Sequence, residues 1–417
     1  MWQTMRIADL GIVVTGKTPS SNSPEHFGDD FPFVTPTDMG TERIIHTERG
    51  ISHEGYLKFC RQMLPPKSIC FVCIGATIGK ICLTTQQSLT NQQINSVVVD
   101  TERHNPFFVY YLLSTLGETI KSIAGGAATP IVNKTSFENV EVSCPPLPIQ
   151  RKIATILSAY DDLIENNLRR IKILEEMAQN LYREWFVKFR FPGHQHARFI
   201  DSPLGRIPEG WEVRGAMENN HWSFIHQNIG AYEGVKRYYA TADIDGITIT
   251  SNGIEYTYSQ KPSRAQKQPL INSVWFARMQ ETYKMIAVAK PNAFLAANCM
   301  LSSGFAGFKA HDEDSFAFLF LTIKSKEFHL EKDRYCTGAT QRSLTNDGLS
   351  RILTISPPRD IVQNFGRLAM RHVELILVLQ QRNKILRRTR DLLLPKLISG
   401  EVDVSELDIT VPEEVAT

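Results

Sequence analysis

The stretch PPLPIQRKIATILSAYDDLIENNLRRIKILEEMAQNLYREWFVK, residues 145–188, has a counterpart in PPRDIVQNFGRLAMRHVELILVLQQRNKILRRTRDLLLPKLISG, residues 357–400. The two align without a gap at a constant offset of 212, and the match reaches back to Gly126-Ala127 and Gly338-Ala339. Twelve of the 63 aligned pairs are identical, including both Pro-Pro pairs and an Arg-x-Lys-Ile-Leu run at Arg170 to Leu174 and Arg382 to Leu386. A unit of this length that recurs once is a two-copy architecture, since solenoid repeats run to about 20–50 residues. A pseudo-twofold internal repeat is therefore expected.

Each Pro-Pro ends an apolar strand and suits the first turn of a helix. After the first, Ile153, Ile156, Tyr160, Leu163, Leu168, Ile171, Leu174, Ala178, Leu181 and Trp185 recur at helical spacing. That predicts about 37 helical residues, roughly 55 Å at 1.5 Å per residue. The second copy follows a heptad of Ile361, Phe365, Leu368, His372, Leu375, Leu379, Arg382, Leu386, Thr389 and Leu393. Polar His372, Arg382 and Thr389 on that seam either fix register at a cost in stability or point away at a skip. Two such stripes in one chain bury most simply against each other.

The remaining sequence divides around these helices. Residues 1–145 read as a mixed α/β domain, with strands at Phe33-Val34, Ser68 to Ile74, Ile81 to Thr84 and Asn95 to Val99 and a helix at Pro106 to Leu116. The first helix takes 146–190, and the Pro/Gly-rich stretch 191–210 reads as a linker. A second mixed domain spans 211–357, with strands at Ile247 to Thr250, Ser273 to Ala277, Met285 to Ala289, Gly304 to Lys309 and Phe316 to Ile323. Trp2 and Trp211 are candidate equivalent starts. The second helix takes 358–400 and an acidic tail, read as a frayed terminus, takes 401–417. The fold class is α+β: two mixed α/β domains and two long helices.

No apolar run approaches the ~20 residues that span a bilayer, and the start carries no signal-peptide pattern. Seven scattered cysteines in such a chain read as reduced thiols, so a cytoplasmic protein is expected. Cys70 and Cys73 form a CxxC, but within a strand-like run and without the outer spacing of a zinc module. A net charge of +2 does not announce a nucleic-acid binder, although residues 365–400 hold eight Lys/Arg against two acids. Gly75 to Lys80 falls short of a phosphate loop by one residue between its glycines and by lacking Ser or Thr after the lysine. Ser356-Pro357-Pro358-Arg359 lacks the aromatic of the Asp/Asn/Ser-Pro-Pro-aromatic loop of amino-methyltransferases that it resembles. No catalytic or metal residues are assigned.

Polar and small residues instead gather in turns. In the first domain these are Lys17, Thr18 and Ser20, then Thr35, Thr37 and Asp38, then Lys80, then Asn91, Gln92 and Gln93. The second offers Arg264, Lys267, Arg278, Lys284, Ser302 and Ser303. Lys, Arg, Ser and Thr suit phosphate contacts, while Asn, Gln and Arg suit bidentate contacts to base edges. Any one of them is also an ordinary turn residue. Together they suit two domains reading two different short sequences.

Gly16-Lys17-Thr18-Pro19-Ser20, Phe33 to Asp38, Thr90 to Gln93, Pro145 to Ala154, Leu181 to Val187, Leu204 to Trp211 and Leu392 to Val404 occur in an order that resembles the specificity (S) subunits of type I restriction–modification enzymes. The resemblance covers nearly the whole chain. It implies two target-recognition domains, each reading half of a split double-stranded DNA site, and two antiparallel coiled-coil helices that set the gap. It implies two methyltransferase subunits as partners and up to two restriction subunits. S-adenosylmethionine, ATP and magnesium would belong to those partners, with no cofactor and no catalysis in this chain. Partner contacts would fall on Leu181, Trp185 and Phe186 and on Leu393, Leu394 and Leu397. The second domain shows no counterpart of Gly16 to Ser20. A stand-alone DNA-binding regulator and a coiled-coil scaffold remain open alternatives.

Overall fold

The computed structural model describes residues 2–40, 42–44, 46–125 and 129–416; the Gly126-Ala127 opening of the first repeat lies outside the described residues. The chain forms two compact units, one running to Glu165 and resuming at Ile385, the other Asn166–Lys384. Among the described residues no helix is long and apolar enough to cross a membrane.

In the first unit, β1 (Gln3–Arg6), β2 (Gly11–Thr15), β3 (Phe27–Val34), β4 (Arg43–Ile44), β5 (Ile69–Val72), β6 (Ile81–Thr84), β7 (Ile94–Val99) and β8 (Glu141–Cys144) are joined by α1 (Pro106–Ser114) and α2 (Lys134–Glu138). The main sheet runs β2-β7-β5-β6-β4, and β1 pairs separately with β8. The β5 strand is buried along its whole length, which explains its unbroken apolar run. Helix α3 (Leu147–Tyr182) follows β8 and continues through a π-helical turn, Arg183–Val187.

The second unit contains β9 (Glu212–Gly215), β10 (Trp222–Phe224), β11 (Ser273–Ala277), β12 (Met285–Val288), β13 (Phe305–Ala310) and β14 (Leu353–Ser356), with α4 (Glu313–Lys324), α5 (Asn346–Ser350) and then α6 (Arg359–Ile398). Its sheet order, β10-β13-β11-β12, repeats β2-β7-β5-β6. The correspondence extends to single bonds. Gln3 faces Cys144 as Glu212 faces Ser356, so Trp2 and Trp211 do precede equivalent strands. Asn133 caps α2 through the Ser136 amide as Thr345 caps α5 through the Gly348 amide.

Several expectations are corrected. Phe316 to Ile323 is helix, not strand: Asp312 accepts from the Ser315 amide and starts α4, whose residues Ser315 to Ile323 are all buried. An apolar run buried on all sides carries no periodicity to distinguish the two. The 191–210 stretch holds a hairpin, Phe199–Ser202 with Gly205–Pro208, rather than plain linker. The acidic tail is not frayed. Val404 and Val415 lie in the first unit's core, Asn105 Nδ2 donates to the Val415 carbonyl and Lys152 Nζ to that of Ser405.

The long helices pack antiparallel. In the second unit Ile171 meets Ile376 and Leu379, while Ala178 and Tyr182 share a core with Phe365 and Ala369. In the first unit Ile153, Ala154 and Leu157 share a core with Leu397 and Ile398. The buried face of α6 is Val362, Phe365, Ala369, Val373, Ile376 and Leu379, leaving Leu368 51% exposed. Leu163 and Leu168 of α3 are likewise exposed. The heptad assignment was thus one residue out along much of α6. Arg382 is exposed, and the polar seam residue is its neighbour Asn383, which accepts a 2.8 Å hydrogen bond from buried Asn167.

In the first unit a polar cluster ties the sheet domain to both helices. The Tyr111 hydroxyl lies 2.5 Å from Asp161 Oδ2 and 3.2 Å from Glu42 Oε1, and Arg390 pairs with Asp161. Burial first, then the Asp161 charge and a hydrogen bond to it, push the Glu42 carboxyl up to about 9 against the pull of Arg43 and Tyr111. The folded state then holds more protons than the unfolded state from about pH 4.5 to pH 9, so this group's contribution to stability declines as pH rises through that window. Glu42→Gln should flatten the decline and raise the melting temperature at pH 8 by a few degrees. Melting curves from pH 5 to 9 that still track wild type would refute the assignment.

Candidate nucleic-acid interface

The four loop sets picked from the first domain come together at one edge of its sheet. Lys17 N donates to the Thr90 carbonyl at 2.8 Å, Asn91 N to the Val34 carbonyl at 3.1 Å, and the Thr18 hydroxyl to Gln92. Asp38 accepts from the Thr35 amide and hydroxyl and from the Glu48 amide, so its carboxylate holds the Thr35 to Asp38 turn. Thr37 bonds Thr35 across that turn. Lys80 leaves a turn built on Gly75 and Gly79, both with positive φ, and its ammonium donates to the Pro36 carbonyl at 2.9 Å. Asn91 Nδ2 donates to Gln93 Oε1 at 3.0 Å. Lys17, Thr18, Ser20, Thr37 and Gln92 are exposed on this edge.

In the second unit Ser302 and Ser303 occupy the positions of Asn91 and Gln92. The Arg278 amide bonds the Gly304 carbonyl as the Cys73 amide bonds that of Gln93. Lys284 matches Lys80: the Ala277 amide bonds the Lys284 carbonyl as Val72 bonds Lys80. Each lysine then tethers a neighbouring turn, Lys284 Nζ lying 3.1 Å from the Thr241 carbonyl. The Arg264 carbonyl accepts from the Ser303 amide while its side chain is exposed. Arg278 is spent on structure, donating to the Leu344 carbonyl and Asn346 Oδ1, and burial lowers its pKa. Burial, then the nearby Arg278 charge, also lowers that of Lys267, whose ammonium donates to Asn228 Oδ1 at 2.9 Å.

Extending β10 in its register fills the gap left by the sequence. His226-Gln227-Asn228 runs where β2 passes into Thr15-Gly16-Lys17, and all three are exposed. Gln227 and Asn228 are residue types that suit base contacts, but it is strand register that places them at this position. A second missed element is Thr337 to Gln341, exposed and containing the Gly338-Ala339 of the repeat, beside Arg278 through the Leu344 amide.

Residues 1–176 match the family model described as the type I restriction modification DNA specificity domain. The chain is 29% identical to the MjaIX specificity subunit of Methanocaldococcus jannaschii, over 97% of this chain and 94% of that one. It is 33% identical to the HindI specificity subunit of Haemophilus influenzae over 42% of its length. The solved S subunit of a type I restriction–modification system from M. genitalium shares its fold, with a TM-score of 0.58 at 14% identity over 95% of this chain and 96% of that one. Residues 1–176 thus match the type I DNA specificity domain, and over nearly its whole length the chain is similar to type I specificity subunits.

The residues that the family likeness assigned to partner contact lie mostly inside this specificity-subunit fold. Trp185, Phe186 and Leu397 are core residues, and Leu181, Leu393 and Leu394 are half-buried against the same cores. What the repeat keeps on its surface is different: Ile173 is 56% exposed and its repeat mate Ile385 55%.

Proposed function

We propose that the chain is the DNA-reading subunit of a type I restriction–modification complex and recognises a bipartite, asymmetric site, one half with each unit. One observation carries this. Equivalent loops hold different readers, Asn91-Gln92-Gln93 against Ser302-Ser303-Gly304, while the equivalent lysines that tether a neighbouring turn, Lys80 and Lys284, are the same. A kept frame with changed readers suits two different half-sites. The helices α3 and α6 would set the gap, and the target-recognition domains would be 1–145 and 211–357.

Catalysis, S-adenosylmethionine, ATP and magnesium would reside in the partners, two methyltransferase subunits and up to two restriction subunits, in the cytoplasm. The exposed Ile173 and Ile385, each following a basic pair in Arg-x-Lys-Ile-Leu, are the surface that two copies of one partner would share.

Selection of bound sequences from random duplex DNA, by this chain with its methyltransferase partner, should enrich two short motifs at a fixed spacing. Enrichment of a single contiguous motif, or of none, would overturn the reading. Lys17→Ala should weaken binding across sequences and reduce the slope of log K against log salt by about one. An unchanged slope would remove Lys17 from the phosphate contacts.

A further inference from the structure

The two units differ at an element that adjoins the reading edge in both. Strands Arg49–Ile51 and Ile254–Tyr256 are equivalent: each pairs antiparallel with a strand that itself runs parallel to the strand entering the reading loop. After it the second unit forms strand Ala265–Lys267, with Ala265 paired to Ser302. The first unit instead forms a short helix, His53–Phe59.

That helix is seated by close contacts. The Ser52 hydroxyl accepts from the Gly55 amide at 3.1 Å and donates to the Glu25 carbonyl, while the Ser52 amide donates to the His26 carbonyl at 3.0 Å. A Cβ on Gly55 would lie 2.3 Å from that His26 oxygen, so the helix meets the segment before β3 backbone to backbone. Phe59 ends the helix 7% exposed, in a core with Phe33, Ile51, Met63 and Leu89. The His26 ring meets its ring at 84°, with centroids 5.7 Å apart.

The Lys17 ammonium lies over the Phe59 ring, 5.9 Å from its centre. A cation within about 6 Å of an aromatic face is attracted by the ring's quadrupole. The Lys17 backbone is fixed by its amide bond to the Thr90 carbonyl, and its side chain is exposed on the reading edge. A lysine stem is flexible, so what lies beneath the ammonium decides how often it stands in one place. In the second unit the residue at this position is Asn228, already engaged by Lys267 at 2.9 Å.

We infer that Phe59 is a positioning residue for the first half-site: its ring holds the Lys17 ammonium at the reading edge, ready for a DNA backbone phosphate. The second unit has neutral Asn228 there, so this contact belongs to the first half-site alone. The inference rests on the DNA-reading proposal and adds to it a residue that touches no DNA itself.

The test is a double-mutant cycle on the full-length chain with its methyltransferase partner, measuring affinity for the duplex that wild type selects. Phe59→Leu fills the core site without a π face and should weaken binding by roughly two- to fivefold, the worth of an exposed cation–ring pair. Phe59→Met should do the same. In a Lys17→Ala background neither substitution should weaken binding further, because the ring acts only through the ammonium. Damage to the loop as a whole would also disturb Thr18 and Gln92, and so would persist without Lys17; equal losses in both backgrounds would overturn the inference. Wild-type affinity in both Phe59 variants, beside a weakened Lys17→Ala, would overturn it too. Melting curves show that each variant is folded at the assay temperature. Failure of the reading proposal would appear separately, as wild-type chain with no sequence preference.

Discussion

Trp185→Ala will cost about 3–5 kcal/mol, the range for emptying a large aromatic site in a core. Trp185 is 6% exposed, with its ring 5.6 Å from that of Phe365 and 6.3 Å from that of Phe186. Phe186 in turn lies 4.6 Å from Phe318 and 4.7 Å from Phe365. The indole therefore sits where the end of α3, the start of α6 and helix α4 meet, and its loss cannot be absorbed by one neighbour moving inward. Chemical denaturation should show the midpoint falling sharply. Ile173→Asp provides the contrast, because a residue 56% exposed can lose its side chain with little change in stability. If Trp185→Ala keeps the wild-type midpoint but loses a methyltransferase partner, the tryptophan is an interface residue after all.

That contrast shows why the frame was legible and its surface was not. Repetition exposed the two long helices, because their strand, Pro-Pro start and apolar stripe recur at one offset. Which face of each helix is buried did not follow, since Leu163, Leu168 and Leu368 are apolar yet exposed, while Asn167 and Asn383 are polar yet buried. A helix that packs on a sheet domain as well as on another helix carries a stripe wider than a heptad seam. Leu377 of α6 lies in the sheet domain's core, and the Gln380 amide donates to the Ile247 carbonyl. The same ambiguity hid α4, where burial on all sides erased the period of 3.6. Turn chemistry, by contrast, located most of the first unit's loop cluster, because Gly, Pro, Thr and Asn have few other uses between strands. It failed for Gln227 and Asn228, whose place is set by strand register alone.

Gly16→Ala should abolish reading of the first half-site while leaving the second untouched. A Cβ on Gly16 would lie 2.5 Å from the Thr90 carbonyl oxygen and closer still to the Asn91 carbonyl and the Thr90 hydroxyl. Two of those atoms are backbone, so no side-chain rotation relieves the clash, and the strand must withdraw from 90–91 by about 1 Å in a region packed at crystal-like density. That movement breaks the Lys17 amide bond to Thr90 and separates Thr18 from Gln92. On the proposed reading, base contacts from these loops would each contribute about 1–3 kcal/mol, so losing two would lower affinity for the intact site by roughly a hundredfold or more. The informative measurement is discrimination: wild type should lose affinity when either half-site is scrambled, and Gly16→Ala only when the second is. Such a loss, confined to one half of the site, follows from damage to one reading loop and not from general unfolding. Should scrambling the first half-site still weaken the variant as much as wild type, the Gly16 to Gln93 cluster would not be the reading surface.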